Sequence, residues 1–236
     1  MSKVLDHWQV LQHGRLAQLD DGLLSVTGQI HMPLVEFQRR MTVVRLRDGR
    51  LVVFSAIALD EDEMRQLEQY GTMAYLVVPG DHHRMDARIW KYRYPLMRVV
   101  TPIGARKAVE SAVAVDSTQV NFHDPDVDFI TVAGTNGHEA ALVVRRSSGT
   151  TLILNDLIGN MDRDAGFMLR LMGFAGDAPQ IPLGVRIGLA GNKAALRQQL
   201  LSWAADPKLK RIIVSHGAPI EAHAAAELHR LADSLA

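Results

Sequence analysis

Apolar residues recur along this chain in several spacings, and each spacing predicts a different element. Short runs rich in β-branched residues at 23–28 (LLSVTG), 42–47 (TVVRLR) and 51–57 (LVVFSAI) read as strands, and RDGR between the last two supplies the Asp-Gly pair of a tight hairpin turn. DEDEMRQLEQYG reads as a helix, with acids in its first turn, Met64, Leu67 and Tyr70 along its apolar side and Gly71 as a stop. Strand MAYLVVP follows. Asp81 then offers an N-cap for a helix over HHRMDARIWKYRY, which must end before Pro95. LMRVVTP is a short buried strand and GARKAVE a short helix. Residues 128–133 (DFITVA), 138–146 (HEAALVVRR) and 150–154 (TTLIL) predict a β-meander joined by GTNG and SSG turns. DAGFMLRLMGF reads as helical and DAPQIPLG as loop. The chain closes with helix AALRQQLLSWAAD, strand RIIVSHG and helix IEAHAAAELHRLADSLA. Two β-rich blocks, each followed by helices, predict an α+β protein in which two sheets pack together with helices outside.

Composition narrows the functions open to such a fold. All 236 residues are expected to form one domain, since 47% are apolar and can bury a sizeable core. Lysine plus arginine equals aspartate plus glutamate at 26 each. There is no basic excess to neutralise nucleic-acid phosphates or an anionic membrane surface, so neither is expected as a partner. No apolar run is long enough to span a bilayer, and MSKVLDHWQV lacks the basic-then-apolar layout of a secretory signal, so the expected location is cytoplasmic. With no cysteine in the chain, any transition-metal site must use histidine and carboxylate. Neither a P-loop nor GxGxxG follows a strand, which argues against nucleotide binding.

The candidate chemistry sits where strands end. AYLVVPGDHH delivers His82 and His83, TLILND delivers Asp156, RIIVSHG delivers His216, and TVAGTNGH places His138 in a turn before a strand. Strand ends on one edge of a sheet converge, so these groups are expected in one cleft. If 82–90 is helical, His82 and Asp86 stand four apart on one face, within reach of a single ion. A histidine ending a strand is more often a hydrogen-bonded structural group, so order and spacing must carry the case.

That order resembles the metallo-β-lactamase fold superfamily, an αββα sandwich whose members bind one or two metal ions. The family carries HxHxDH after a strand, then a Gly-His turn, an Asp at a strand end and a His near the C-terminus. HHRMDA stands at the first motif with His82 on its first His and Asp86 on its Asp; NGH places His138, LND places Asp156 and SHG places His216. The similarity runs from about residue 20 to the C-terminus. Arg84 stands where the second His belongs and Ala87 where the last belongs, and VVFSAIAL lacks the Asp usual after the early strand.

The resemblance implies one divalent ion, zinc first and iron or manganese next, held by His82, Asp86, His138, Asp156 and His216 with an open water position. It also implies a hydrolase in which metal-bound hydroxide attacks an ester, thioester or phosphoester, with Asp86 orienting the water. Arg84, a permanent cation, would either repel the ion or hold an anionic small-molecule substrate. His83 is a substitute ligand, but in a helix it would point about 100° away from His82. The alternative is a degenerate member that binds a small anion or a protein partner without metal. Homo-oligomerisation is left open.

Overall fold

The computed structural model describes residues 4–32, 35–189 and 191–236. The first sheet has six strands in sequential order: β1 (Ala17–Asp20), β2 (Leu23–Met32), β3 (Val35–Arg45), β4 (Arg50–Phe54), β5 (Thr72–Val77) and β6 (Arg98–Val100). β1 to β4 run antiparallel, and β4, β5 and β6 are parallel. The parallel crossovers carry α1 (Glu61–Tyr70) and α2 (Ala87–Arg93), and α3 (Arg106–Glu110) follows β6. The second sheet, ordered β12-β9-β8-β7, holds the expected meander of β7 (Val127–Thr131), β8 (Ala140–Arg146) and β9 (Gly149–Ile153), extended by β12 (Leu209–Ile213) parallel to β9. A small parallel sheet of β11 (Ala175–Gly176), β10 (Gly159–Asp162) and β13 (His216–Gly217) is drawn from the chain on either side of β12, with α4 (Phe167–Met172) inserted before β11. Helices α5 (Lys193–Ala204) and α6 (Ala224–Asp233) complete the chain.

Side-chain alternation turns these elements into four layers. Along a strand successive side chains face opposite ways, and here the two faces enter different cores. Leu51 and Val53 of β4 join Met64, Leu67 and Trp90 beneath the first helices, while Val52 and Phe54 face Leu142, Val144 and Ile153 of the other sheet. On the far side Ala141, Val143 and Leu152 pack against Leu196, Leu200 and Leu228 of α5 and α6. Helix, sheet, sheet, helix is the αββα sandwich expected from the sequence. Among the described residues no helix is long and apolar enough to cross a membrane.

One expected helix is shorter than its pattern. Asp60 caps α1 as the acidic first turn requires, accepting from Glu63 N–H. Asp81, by contrast, caps nothing helical: 81–86 is wound in turns, and α2 begins only at Ala87. The cause is tertiary. Asp86 is drawn to the Arg39 guanidinium and to Ala58 N–H at 2.9 Å, and His83 to Ser55 and Asp156. These contacts outbid a first helical turn. His82 and Asp86 therefore do not share a helix face, and His82 lies exposed. At the other end, α6 starts at Ala224 and not near Ile220, after His223 turns the chain with a φ of 56°.

Candidate metal centre

Three side chains, one from the segment after each of β5 and β9 and one from the small third sheet, meet at one point. His83 comes from the turn after β5, Asp156 from the end of β9 and His216 from the start of β13. His83 Nε2 lies 3.0 Å from Asp156 Oδ1 and 3.3 Å from His216 Nε2, and His216 Nε2 lies 2.8 Å from the same carboxylate oxygen. All three are largely withdrawn from solvent.

The outer nitrogens explain why the inner ones point inward. His216 Nδ1 lies 2.6 Å from the Gln38 carbonyl, which can only accept, so Nδ1 carries the hydrogen and Nε2 keeps its lone pair in the neutral ring. His83 Nδ1 lies 2.6 Å from Ser55 Oγ. Ser55 adopts a φ of 57°, a left-handed conformation unusual for a residue with a side chain, directly after β4. It lies within VVFSAIAL, the stretch that lacks the aspartate usual after the early strand. A metal-binding imidazole held through its other nitrogen in this way has its ring orientation set in advance.

Three consecutive residues of β3 clamp the cluster. Besides the Gln38 carbonyl, Arg39 pairs with Asp86, three residues beyond His83, and Arg40 donates to the carbonyls of Val214 at 3.2 Å and Gly217 at 2.7 Å, on both sides of His216. Gly217 permits this packing, because a Cβ there would fall 1.9 Å from the Asn160 carbonyl oxygen.

Electrostatics favour a cation at the meeting point. Burial pushes the His83 imidazole below its ordinary pKa, toward the neutral, ligating form. Burial opposes ionisation of Asp156, but His83 and His216 against its carboxylate outweigh that and hold it well below the usual range. Behind it lies Glu139, buried, receiving Asp156 N–H and Asn155 Nδ2 at 3.3 Å each. Burial and then the charge on Asp156 push Glu139 well above the ordinary carboxyl range. Negative charge is thus favoured on Asp156, beside the imidazoles, and disfavoured on Glu139.

Of the five ligands expected from the sequence, Asp156 and His216 enter this cluster and His82, Asp86 and His138 do not. His83 takes the place expected of His82, because the turn conformation rotates it inward. Asp86 has both oxygens committed, to Arg39 and to Ala58 N–H, and is not free to orient water. His138 turns its Nδ1 to Asp81 Oδ2 at 3.0 Å, half-exposed. Arg84 is buried and donates from Nη1 to the Ala108 carbonyl at 2.7 Å, so its charge is held toward α3. Ser55, Gln38, Arg39, Arg40 and Glu139 escape the sequence reading. The only local trace of them is the unbroken pair Arg39-Arg40 within a strand and an acid, Glu139, opening an otherwise apolar one.

No family model matches the sequence, and none of the curated proteins does. Solved structures do. The chain is similar to DIM-1 metallo-β-lactamase exposed to ceftazidime, with a TM-score of 0.65 and 11% identity over 97% of this chain and all of that one. It is also similar to the metallo-β-lactamase FIM-1 from Pseudomonas aeruginosa in its mono-zinc form, with a TM-score of 0.63 and 10% identity over 95% of this chain and 96% of that one. The fold is that of the metallo-β-lactamases.

Proposed function

We propose that this chain is a metal-dependent hydrolase whose single divalent ion, zinc first and iron or manganese next, is held by His83, Asp156 and His216. One observation carries the reading: His83 Nε2, His216 Nε2 and Asp156 Oδ1 converge within 2.8–3.3 Å of one another, so close that a proton or a metal ion must lie among them. The spacing suits a metal. Ligands at about 2.0–2.1 Å around tetrahedral zinc stand roughly 3.3 Å apart, close to the 3.3 Å between the imidazole nitrogens. Three protein ligands leave a fourth position open, as catalytic sites require. FIM-1, solved with one zinc, indicates that the fold accommodates a single ion.

When bound, a divalent ion supplies Lewis acidity, acidifying water and polarising a carbonyl or phosphoryl oxygen. The chain's residues supply the rest. Gln38 and Ser55 orient the imidazoles, and neutral Glu139 keeps the negative charge on Asp156. Water adds to the acyl carbon or phosphorus, the bond to the leaving oxygen breaks, and that oxygen takes a proton. The metal-free alternative, an anion held by Arg84, has less support because that guanidinium is buried against the Ala108 carbonyl.

The test is metal content by mass spectrometry on protein purified without a metal-affinity tag or chelator, followed by an ester and phosphoester screen. About one equivalent per chain is expected, lost in His83→Ala and Asp156→Ala together with any activity. Absence of metal after incubation with zinc, iron and manganese would overturn the reading.

A further inference from the structure

One wall of the His83–Asp156–His216 cluster is aromatic. The His216 ring lies 4.3 Å from Phe37 and 5.2 Å from Phe174, centroid to centroid, and the two phenyl rings meet edge to face at 5.1 Å. Both phenylalanines are only half-buried, so part of each ring stays open to solvent.

Phe174 is also the root of an apolar surface that the fold leaves uncovered. It follows α4 after Gly173, and its N–H donates to the Leu169 carbonyl at 2.9 Å, so the helix and the ring are tied together. In α4, Leu169 alone turns inward. Phe167, Met168, Leu171 and Met172 are 74, 45, 61 and 41% exposed. The whole segment is tied to the site, since β10, just before α4, pairs Gly159 with His216. Side chains of this size expose about 200 Å² each when free, so the helix shows roughly 400 Å² of apolar surface. A standard protein interface takes ~800 Å² from each partner. Half that area fits a small apolar ligand better than a second protein.

We infer that the substrate is a carboxylic ester with an apolar acyl group, which packs on Phe37 and Phe174 beside the metal centre and runs out along α4. This rests on the hydrolase reading for the reaction, but not for the binding. The occupant is argued from the continuity of Phe174 with both His216 and α4 and from the area.

The test measures binding without turnover: calorimetric titration of butyrate, hexanoate and octanoate into the zinc-loaded and the metal-stripped protein. Octanoate should bind about tenfold or more tightly than butyrate in both forms, as buried methylenes require. Phe174→Ala and the exposed pair Phe167→Ser/Leu171→Ser, which leaves the core untouched, should each shrink that ratio to about threefold or less. Equal affinity for the three acids in the wild type would overturn the inference, as would a ratio unaltered in the exposed pair. So would light scattering that shows a wild-type dimer abolished by Phe167→Ser/Leu171→Ser, or sedimentation with phosphatidylglycerol vesicles lost in the same variant, since the face would then belong to a second copy or to a membrane. A protein that shows the chain-length dependence yet hydrolyses no ester keeps the apolar acyl-binding surface and loses the hydrolase reading on which the ester rests.

Discussion

The Gln38 carbonyl lies 2.6 Å from His216 Nδ1, and this single contact decides which nitrogen of His216 faces Asp156. His83 is held in the same sense by Ser55. Two rings set from behind, from different strands, leave little choice about where their Nε2 atoms point.

The turn at 81–86 separates two adjacent histidines that the sequence alone leaves interchangeable. His83→Ala should abolish stoichiometric zinc binding, while His82→Ala should keep about one equivalent. Metal analysis of the two variants, side by side, settles the assignment; loss in His82→Ala with retention in His83→Ala would reverse it.

The Ser55 hydroxyl should matter to affinity and not to stoichiometry. Removing an outer hydrogen-bond partner of a metal-binding imidazole costs about 10–100-fold in affinity. Zinc competition titrations should show that loss in both Ser55→Ala and Ser55→Gly. Glycine relieves the left-handed backbone at this position, so a deficit confined to alanine would place the effect in the backbone instead of the hydroxyl.

Asp86 and Arg39 are buried partners, 1% and 5% exposed. Asp86→Ala leaves a guanidinium uncompensated and should cost about 3–5 kcal/mol in urea unfolding. Arg39→Met/Asp86→Asn removes both charges and should recover most of that loss, with zinc stoichiometry unchanged. A double variant that folds but no longer binds zinc would show that the pair belongs to the metal site itself.

Glu139 gives the pH dependence its sign. Its folded-state pKa is raised by burial and by Asp156, so above the ordinary value of 4.5 the unfolded chain ionises while the folded one resists. The residue therefore costs stability increasingly from about pH 4.5 up to its folded-state pKa. Glutamine cannot ionise. On metal-stripped protein, the melting temperature of Glu139→Gln relative to wild type should rise between pH 5 and pH 8; a flat or falling difference would contradict the neutral form.

The sandwich itself is legible in the sequence because strand alternation and helix spacing are local patterns. Asp156 and His216 are legible for the same reason, since each ends an apolar run. His83 is not distinguishable from His82, because the choice depends on whether 81–86 coils, and the groups that hold this turn, Ser55 against His83 and Arg39 and Ala58 against Asp86, lie far back in the chain. Asp86 illustrates the same limit from the other side. Its motif position points to a ligand, and only the fold reveals the guanidinium that claims it. Arg40 and Glu139 leave almost no local trace, because a buried charge is recognisable only once its surroundings are known.

The grip of Gln38, Arg39 and Arg40 reaches far along the chain: two of the three hold groups more than 170 positions away, Gln38 the His216 imidazole and Arg40 the backbone carbonyls on either side of it. His83 belongs to the first sheet's side of the sandwich, and Asp156 and His216 to the other. Neither half contains the centre, which comes into being when the two sheets dock. If the cluster holds an ion as proposed, metal affinity is a gauge of completed assembly, and a chain stalled with one sheet formed would lack the full set of three ligands.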